Sequence, residues 1–386
     1  MKKRIVAFTS IRSDYDLLSP LFMLMRKDPG IDLKLIVSGA HLSKTYGYSV
    51  DQIKADRMPI LGSFETLIDS DSRTSRIKTA SILLQNCVDT IAKFSPDAIL
   101  FSGDREDAIV AALVGAYLGI PTIHFYGGDH ASDGNVDNAV RHSCSKLASL
   151  HLVSNEIHMR RLVRLGENPS RIFIIGSIAL DKFVNHKPIA MREVFRAFGM
   201  RDGFETFCLV IFHPVLHEDK VAHLHFRNIM EVLSEERINA FVSYPNTDSG
   251  NKDIISVLDS YMDNGNFRMY RNLDRALFLT IFKRCSFVIG NSSAGLTEAA
   301  TIPVPAINVG TRQVGRLADR NVIFCAPTKE SIRTAIRKAG SKSFRQIVAD
   351  VRNSYGDGRS ARRALRLIKG LDLQGFAHKK EDPLDV

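Results

Sequence analysis

Short apolar runs alternate along the chain with longer segments in which apolar residues recur every three or four positions. The short runs predict strands and the longer segments predict helices, because side chains repeat their direction about every two residues in a strand and about every 3.6 in a helix. In the first half the predicted strands are residues 4–9, 33–38, 97–102, 122–126, 151–153 and 171–175. The predicted helices there are residues 76–94, 106–118, 136–147 and 156–165.

The same alternation starts again after a break at residues 183–188. Strands alternating with helices are typical of parallel sheets with crossover helices, so the chain is predicted to be α/β, with two Rossmann-like, doubly wound domains in tandem. Ligands collect at the carboxyl ends of such strands, which predicts a site in a cleft between the domains. The closing FAHKKEDPLDV is predicted to be a frayed tail. The second set of strands is predicted at residues 207–212, 240–243, 267–270, 287–290, 304–308 and 322–324, and a last helix at 359–369.

Composition narrows the class of protein. A chain of 386 residues has room for two domains, and 45% hydrophobic with 24% charged residues excludes a disordered or fibrous protein. No apolar run approaches the roughly 20 residues of a membrane span, and the opening MKKRIVAFTS lacks a secretory apolar region, so a cytoplasmic location without a membrane partner is predicted. Five scattered cysteines without a C-x-x-C pair predict neither disulfides nor structural zinc.

The formal net charge of +10 is concentrated towards the C-terminus, where residues 329–370 hold twelve Lys and Arg and three acids. Such a stretch suits RNA, an anionic membrane or a phosphorylated ligand. It also suits a solvated helical face that attracts anionic substrates, and the absence of a nucleic-acid-binding motif favours this interpretation. No nucleic-acid partner is predicted.

The sequence VIGNSSAGLTEAA, residues 288–300, predicts a strand, a turn and a helix start. The first N–H groups of a helix lack intrahelical partners and its dipole favours an anion, so Ser292 and Ser293 are candidates for phosphate binding. Gly295 lies in the same candidate nucleotide-binding segment, and Glu298, one turn on, is a candidate acceptor of hydrogen bonds from ribose hydroxyls. An ordinary Ser N-cap would satisfy the same N–H groups without a ligand. No G-K-[ST] sequence occurs, so a P-loop NTPase is not predicted.

Polar residues follow the predicted strands of the first half. Arg12 lies just beyond the first strand, where a guanidinium suits a phosphate or a sugar hydroxyl, although a surface turn explains it equally well. His41 follows the second strand, and a lone His is usually structural. Asp104 lies between the strand at 97–102 and a helix, so it is either a functional carboxylate or a helix N-cap.

The segment IHFYGGDHASDGNVDNAVRH crowds carboxylates around a Gly-Gly turn. Asp129 and Asp137 in this segment are candidates for an acid and base pair, provided that their surroundings separate their pKa values. Further along, His213 lies in a loop between a strand and a proline, and it is a candidate acid, base or phosphate contact. Asn246 and Arg316 lie in two polar turns that also follow strands, YPNTDSG and GTRQVGR. The histidines around His213 match no usual zinc ligand spacing, so no metal site is predicted.

Assembled in order, these motifs resemble the UDP-N-acetylglucosamine 2-epimerase family, and within it the hydrolysing enzymes of sialic-acid-type sugar biosynthesis. The resemblance spans nearly the whole chain and rests on TSIRSDYDLLSP, SGAHLSKTYGYS, GDRED, VDNAVRHSCSKLASLH, FHPV, YPNTDSG, GNSSAGLTEA, GTRQVGR and YGDG. It implies a GT-B fold, with sugar chemistry in residues 1–185, the nucleotide in residues 186–358, and a last helix in residues 359–386 that returns to the first domain. It also implies a homo-oligomer, a dimer or tetramer. No cofactor is predicted.

By this resemblance, Ser292 and Ser293 hold the diphosphate and Glu298 holds the ribose of a UDP-sugar. Arg12 and His213 are implied at the phosphate and sugar region.

The resemblance implies Asp104 and Asp137 as the catalytic carboxylates, with Asp129 and His213 assisting. Family members carry H-V-E-A-G or I-E-G-G-E where this chain has HFYGGD. Tyr126 therefore takes the place of the first glutamate and Asp129 that of the second. Which carboxylate is the acid and which the base stays open.

The implied reaction is the hydrolytic epimerisation of UDP-N-acetylglucosamine to N-acetylmannosamine and UDP, by elimination to a glycal and hydration. The nearest rival is a sister enzyme acting on UDP-N,N'-diacetylbacillosamine, in a legionaminic-type pathway, because Tyr126 suits a sugar that lacks the 6-hydroxyl. The motifs are also compatible with a GT-B glycosyltransferase, which needs an acceptor, and with a non-catalytic nucleotide-sugar-binding or RNA-binding protein.

Overall fold

The computed structural model describes residues 2–70, 72–130, 136–201, 203–214, 221–245, 250–271 and 273–385. The chain divides into two compact units. Within the described ranges, the first unit comprises Met1–His130, Val136–Lys182 and Tyr355–Val386, and the second comprises Phe183–Ser354. The divisions predicted from the sequence are 185/186 and 358/359.

The first unit is a seven-stranded parallel sheet with the strand order β3-β2-β1-β4-β5-β6-β7. Its strands, and the helices up to the division between the units, are β1 (Lys3–Thr9), α1 (Arg12–Lys27), β2 (Ile31–Ser38), α2 (Val50–Ala55), β3 (Ile60–Phe64), α3 (Arg73–Phe94), β4 (Ala98–Ser102), α4 (Glu106–Leu118), β5 (Thr122–Phe125), α5 (Val136–Leu147), β6 (Leu150–Val153), α6 (Glu156–Arg164), β7 (Ile172–Ile174) and α7 (Ala179–Asn185).

The second unit repeats the plan with six parallel strands in the order β10-β9-β8-β11-β12-β13. Its elements are α8 (Met191–Ala197), β8 (Cys208–Ile211), α9 (Ala222–Glu235), β9 (Ala240–Ser243), α10 (Asn251–Asp259), β10 (Phe267–Tyr270), α11 (Arg275–Arg284), β11 (Val288–Gly290), α12 (Ala294–Thr297), β12 (Ala306–Val309), β13 (Val322–Cys325), α13 (Lys329–Gly340) and α14 (Lys342–Ala349). The last helix, α15 (Ser360–Gly370), belongs to the first unit.

Both faces of each sheet are covered, which explains the continuous apolar runs of the strands. In β1, Ile5 and Ala7 pack with α1 and α15 on one face, while Val6 and Phe8 pack with α3 and α4 on the other. The predicted fold class, α/β with two Rossmann-like, doubly wound parallel sheets, is confirmed. Strand β3 is not predicted from the sequence, because ILGSF contains a glycine and lies half-buried at the sheet edge.

The strand orders fix where each unit can bind a ligand. In both sheets the order reverses beside the first strand of the unit, between β1 and β4 in the first and between β8 and β11 in the second. Loops on either side of such a reversal diverge and leave a crevice at the carboxyl ends of the two strands. The residues that follow β1, β4, β8 and β11 are therefore the expected ligand contacts of the two units.

The prediction of a frayed C-terminal tail is wrong. Arg171 is buried, and a buried guanidinium needs acceptors around it. The tail supplies them: Arg171 donates to the carbonyl oxygens of Phe376 (3.0 Å) and His378 (2.9 Å) and to both carboxylate oxygens of Glu381 (2.8 and 3.0 Å). The last helix is anchored in the same unit, because α15 packs against α1.

The basic stretch at 329–370 is divided between the two units, and several of its cations have acidic neighbours. Lys329 pairs with Glu231 and Glu235, and Arg333 pairs with Glu235 and Glu236. Arg363 and Lys369 pair with Asp357 and Asp28. Ion pairs of this partly exposed kind are typical of a solvated helical surface. Among the described residues, no helix is both long and apolar enough to cross a membrane.

Gly290→Ala tests the turn that ends β11. Gly290 has a φ of +144°, and an added Cβ would lie 2.0 Å from the carbonyl oxygen of Ile211. We expect this variant to lose about 2 to 4 kcal/mol of unfolding free energy, measured by urea denaturation followed by far-UV circular dichroism. The control is Gly340→Ala in the same unit, where no atom lies within 4 Å of the added Cβ. Equal urea midpoints for the two variants would contradict the expectation.

Candidate functional site

At the strand-order reversal of the first unit, two carboxyl groups share one hydroxyl. Ser10, directly after β1, has its Oγ 2.8 Å from Asp107 Oδ1 and 3.3 Å from Asp14 Oδ2. Burial raises the pKa of Asp107 to about 6, and the hydrogen bond from Ser10, which lowers the pKa, offsets only part of this effect. Burial also raises the pKa of Asp14 well above its ordinary value, and the charge of Asp107 raises it further. The pair can therefore hold a proton at mildly acidic pH.

Asp104 lies beside this pair in the chain, in the turn between β4 and α4. Its carboxylate forms an ion pair with the guanidinium of Arg141, whose side chain is 5% exposed, against 18% for that of Asp104. Arg141 also donates to the backbone oxygen of Asp129 at 3.1 Å. Arg105, and not Asp104, occupies the N-cap position of α4, so the N-cap interpretation of Asp104 does not hold.

Asp137 lies in the first turn of α5 and has a different cation near it. Arg76 on α3 lies 3.8 Å from Asp137 Oδ1 and also pairs with Glu106 at the start of α4. Burial opposes the ionisation of Glu106, but the charges of Arg105 and Arg76 outweigh it and lower the pKa of Glu106. One arginine thus connects the helix that carries Asp137 to the helix that follows Asp104.

The Gly-Gly turn after β5 brings Asp129 against α6. Gly128 has a φ of +76°, and a Cβ there would lie 2.3 Å from the carbonyl oxygen of His158, so only glycine fits. Asp129 Oδ1 lies 3.5 Å from His158 Nε2. In the same loop, His130 Nδ1 lies 3.3 Å from His142 Nε2. Asp129 therefore lies beside the imidazole of His158 and close enough to Arg161 to interact with its charge, whereas arginines pair with Asp104 and Asp137 directly.

Two residues of the first unit that are predicted to contact the ligand, Arg12 and His41, lie in surroundings that the sequence does not predict. Arg12 begins α1, and its Nε lies 3.8 Å from Asp16 Oδ2, so it is not part of a surface turn. His41 is fully buried, and its ring nitrogens bond Thr9 Oγ1 (2.9 Å) and Ser49 Oγ (2.8 Å). Burial lowers the pKa of His41 to about 4. With both nitrogens bonded inside the unit, His41 supports the turn after β2 and presents no polar atom to a ligand.

In the second unit, Asn291 joins the segments that follow β8, β11 and β12. Its side chain accepts from the His213 backbone N–H and donates to the His213 backbone oxygen, each at 2.8 Å. Its own carbonyl accepts from Gln313 (2.8 Å) and Arg312 (3.2 Å). Arg316 donates to Gln313 at 2.8 Å. A chain of amide hydrogen bonds thus connects His213 to Arg316, two of the residues predicted from sequence.

The helix expected after Ser293 is short. α12 has four residues, and the N–H groups at its start are used within the turn: that of Ala294 bonds Ser292 Oγ (3.3 Å) and that of Gly295 bonds the Ser292 carbonyl (3.1 Å). This corrects the part of the prediction that relies on unpaired helical N–H groups and a helix dipole. The hydroxyl groups of Ser292 and Ser293 are the remaining candidate donors to a phosphate. Glu298 is buried and accepts from Thr297. Asn246 lies outside the described residues.

Comparison with known proteins places this arrangement in a family. The family model described as UDP-N-acetylglucosamine 2-epimerase matches residues 24–369. The chain belongs to this family. This match confirms the family that the motifs predict. The chain is therefore an enzyme of the UDP-N-acetylglucosamine 2-epimerase type.

Two relatives cover nearly the whole chain. A hydrolysing UDP-N,N'-diacetylbacillosamine 2-epimerase of Legionella pneumophila is 32% identical over 376 residues, which is 97% of each chain. A UDP-N-acetylglucosamine 2-epimerase of Neisseria meningitidis is 32% identical over 359 residues, which is 93% of each chain.

Solved structures of family members share the fold. The UDP-GlcNAc 2-epimerase of Neisseria meningitidis bound to UDP-GlcNAc matches with a TM-score of 0.80 and 16% identity, over 96% of this chain and 100% of that one. The enzyme of Methanocaldococcus jannaschii in complex with UDP-GlcNAc and UDP matches with a TM-score of 0.76 and 19% identity, over 96% and 99%. These matches support the assignment of two α/β domains.

Four residues that position the candidate site of this epimerase-family chain are not predicted from the sequence: Arg76, Asp107, Arg141 and Asn291. Arg141 lies four positions after Asp137 on one predicted helix, so the helical period is a usable signal for it. Arg76, Asp107 and Asn291 carry no comparable signal, because their partners lie on distant segments.

Asp107→Asn tests the carboxyl pair. A carboxyl whose pKa is raised by folding costs no stability well below its unfolded pKa of about 4, where it is protonated in both states, and its full cost is reached above its folded pKa of about 6. We expect the unfolding free energy of the variant, relative to that of the wild type, to rise between these pH values and to exceed it at pH 7 by on the order of 1 kcal/mol. Urea denaturation from pH 4 to pH 8 measures this. Asp89→Asn, at an exposed position on α3, is the control, and the same pH profile for both variants would rule the explanation out.

Proposed function

We propose that this chain is a hydrolysing UDP-N-acetylglucosamine 2-epimerase, which converts UDP-N-acetylglucosamine and water to N-acetylmannosamine and UDP for sialic-acid-type sugar biosynthesis. The observation that carries the proposal is the buried Arg141, which holds Asp104 and the backbone at Asp129 together where β4 and β5 end. Family membership supplies the reaction class. Hydrolysis is supported by relatives in Legionella pneumophila and Campylobacter jejuni whose names carry that activity.

The first proposed step is an elimination. A carboxylate base takes the proton from carbon 2 of the sugar, a double bond forms between carbons 1 and 2, and the bond from carbon 1 to the diphosphate oxygen breaks. UDP leaves with the electron pair of that bond, and the sugar becomes a glycal. Asp104 and Asp137 are the proposed proton-transfer groups, because each lies at the carboxyl end of the first sheet with an arginine beside it.

The second proposed step adds water to the glycal. The water oxygen bonds carbon 1, its proton passes to a carboxylate, and a second acid protonates carbon 2 on the opposite face, which inverts that centre. This step needs one group that holds a proton while the other has lost it. Asp129, beside His158, is the proposed assistant on the first unit, and His213 assists from the second.

Nucleotide binding is assigned to the second unit. We propose that the hydroxyl groups of Ser292 and Ser293 bind the diphosphate and that Glu298 binds the ribose. Arg316 lies in the turn that hydrogen bonds connect to Asn291, and it is a proposed cationic partner for the leaving phosphate.

A second candidate substrate is UDP-N,N'-diacetylbacillosamine. Tyr126, at a φ of +63°, follows β5 in the place of the family glutamate and packs against the apolar core of the first unit. A phenol in place of a carboxylate suits a sugar that lacks the 6-hydroxyl. The Legionella pneumophila relative named for this sugar supports the same candidate.

The two substrates can be compared directly. The purified protein is incubated with each UDP-sugar in deuterated water, and UDP release and sugar products are followed by proton NMR. We expect free manno-configured sugar with deuterium at carbon 2, in a one-to-one ratio with UDP, from one substrate. A manno sugar still attached to UDP would contradict hydrolysis, and turnover of neither substrate would contradict the proposed function.

Asp104→Asn keeps the size of the side chain but removes its basicity. We expect kcat to fall by about 10²- to 10⁴-fold, the usual contribution of a general acid or base. The thermal midpoint of unfolding should also fall, because the buried Arg141 loses its charged partner, so turnover is compared at a temperature at which circular dichroism shows both proteins folded. The matched control is Asp89→Asn on the exposed face of α3, which should retain full turnover. Full turnover in a folded Asp104→Asn protein would remove Asp104 from the mechanism.

The double substitution Ser292→Ala with Ser293→Ala tests diphosphate binding. Each lost hydroxyl donor to a charged oxygen is worth about 1.5 to 3 kcal/mol, so we expect UDP affinity to fall at least tenfold. Isothermal titration with UDP measures the change, and Ser343→Ala, at an exposed position of the same unit, is the control. Unchanged UDP affinity in the double variant would move the diphosphate site elsewhere.

A further inference from the structure

The C-terminal strap, residues 376–381, is held on the first unit by two ion pairs. Glu381 accepts two bonds from the buried Arg171, and Lys379 pairs with Glu167. These contacts join segments that are more than 200 positions apart in the chain. The strap is therefore an integral part of the folded first unit.

Glu167 is the buried anion beneath the strap. It is 1% exposed, and it lies 2.9 Å from both His151 Nε2 and Lys146 Nζ, in addition to its contact with Lys379. Burial opposes its ionisation, but the bonds from His151 and Lys379 outweigh burial and lower the pKa of Glu167 to about 2. A charged carboxylate at this depth requires cations around it, and Lys379 is the one that the strap supplies.

The ammonium group of Lys379 also reaches the end of α5. Its Nζ lies 3.2 Å from the carbonyl oxygen of Ser145 and 2.9 Å from that of Lys146. The last carbonyls of a helix lack intrahelical partners and carry the negative end of its dipole, so a cation there stabilises the helix end. Lys379 thus fixes α5 at the end opposite to Asp137.

Helix α5 in turn holds the turn that contains Asp104, by two routes. Arg141 pairs with the Asp104 carboxylate directly. Ser145 Oγ lies 3.1 Å from His124 Nδ1, and His124 Nε2 donates to the carbonyl oxygen of Gly103 at 2.9 Å. Burial lowers the pKa of His124 to about 3, so the ring is neutral and its single N–H is the one on Gly103. A displacement of α5 would therefore move both the side chain of Asp104 and the backbone before it.

We infer that Lys379 is a positioning residue, which holds the C-terminal end of α5 and through it keeps Arg141 and Gly103 in place around Asp104. This inference rests on the proposed function, since it assigns Asp104 a proton transfer. Geometry at a proton-transfer group is demanding: a misplacement of about 1 Å can cost on the order of 10²-fold in rate. A residue without contact to the substrate can then control turnover.

Lys379→Met removes the charge and keeps most of the apolar stem. We expect kcat for UDP release from the UDP-sugar to fall about tenfold, while KM changes less than twofold. Lys379→Arg should restore most of the lost turnover, because it returns a cation that can reach carbonyl oxygens. Lys380→Met is the matched control, because it removes the same charge from the neighbouring position but leaves the ammonium group that contacts Glu167 and α5, and it should behave as the wild type. If Lys379→Met fails to fold, Lys379→Gln, which retains N–H donors without charge, replaces it.

A second measurement does not depend on activity. Hydrogen–deuterium exchange should become faster in Lys379→Met, but not in Lys380→Met, both in the last turn of α5 and at residues 103–106. Faster exchange confined to the strap and the helix end, or an unchanged kcat in active protein, would overturn the inference. If the wild type turns over neither UDP-sugar, the proposed function fails, and the exchange at 103–106 alone decides whether Lys379 positions that turn. UDP affinity, assigned to the second unit, should be the same in all variants.

Discussion

The arrangement of the first unit depends on the burial of one guanidinium. Arg141 is 4% exposed, and leaving such a charge without partners costs about 3 to 5 kcal/mol. Its acceptors come from separate segments: the Asp104 carboxylate after β4, the backbone oxygen of Asp129 after β5, and the side chain of Asn138 at 3.4 Å on its own helix. Because these segments converge on Arg141, one side chain holds both the Asp104 carboxylate and the backbone at Asp129.

In the second unit, neutral groups hold the loops that follow the strands. Asn291, 2% exposed, presents both an acceptor and a donor, so it can close a pair of hydrogen bonds with the backbone at His213 while its own carbonyl receives Gln313. Gly290 makes this possible, because its φ of +144° turns the chain where a Cβ would meet β8. The loops after β8, β11 and β12 are therefore set by amide geometry rather than by charge.

Much of this plan is readable from the sequence, for physical reasons. Strands buried on both faces, such as β1 and β8, appear as apolar runs, and parallel strands bring the residues that follow them, such as Asp104 after β4 and His213 after β8, to the carboxyl edge of their own sheet. The half-buried β3 has no such run. The burial of His41 and the pairing of Arg171 with the tail depend on segments that are distant in the sequence. The local pattern of apolar residues does not predict such contacts. The sequence therefore predicts which residues end strands but not the partners that hold them.

The carboxyl groups at the end of the first sheet and the candidate diphosphate donors of the second unit differ in a way that fits their proposed tasks. Groups that transfer protons must change their charge near neutral pH, and the first unit contains carboxyls such as Asp107, whose pKa burial raises to about 6, beside others that arginines accompany. Groups that bind a diphosphate must remain donors at every pH, and the candidates in the second unit are hydroxyls, amides and guanidinium groups. A protein that used one cluster for both tasks would alter its affinity for the nucleotide each time that a proton moved. With the proposed proton-transfer carboxyls in the first unit and the diphosphate donors in the second, this coupling is limited to His213.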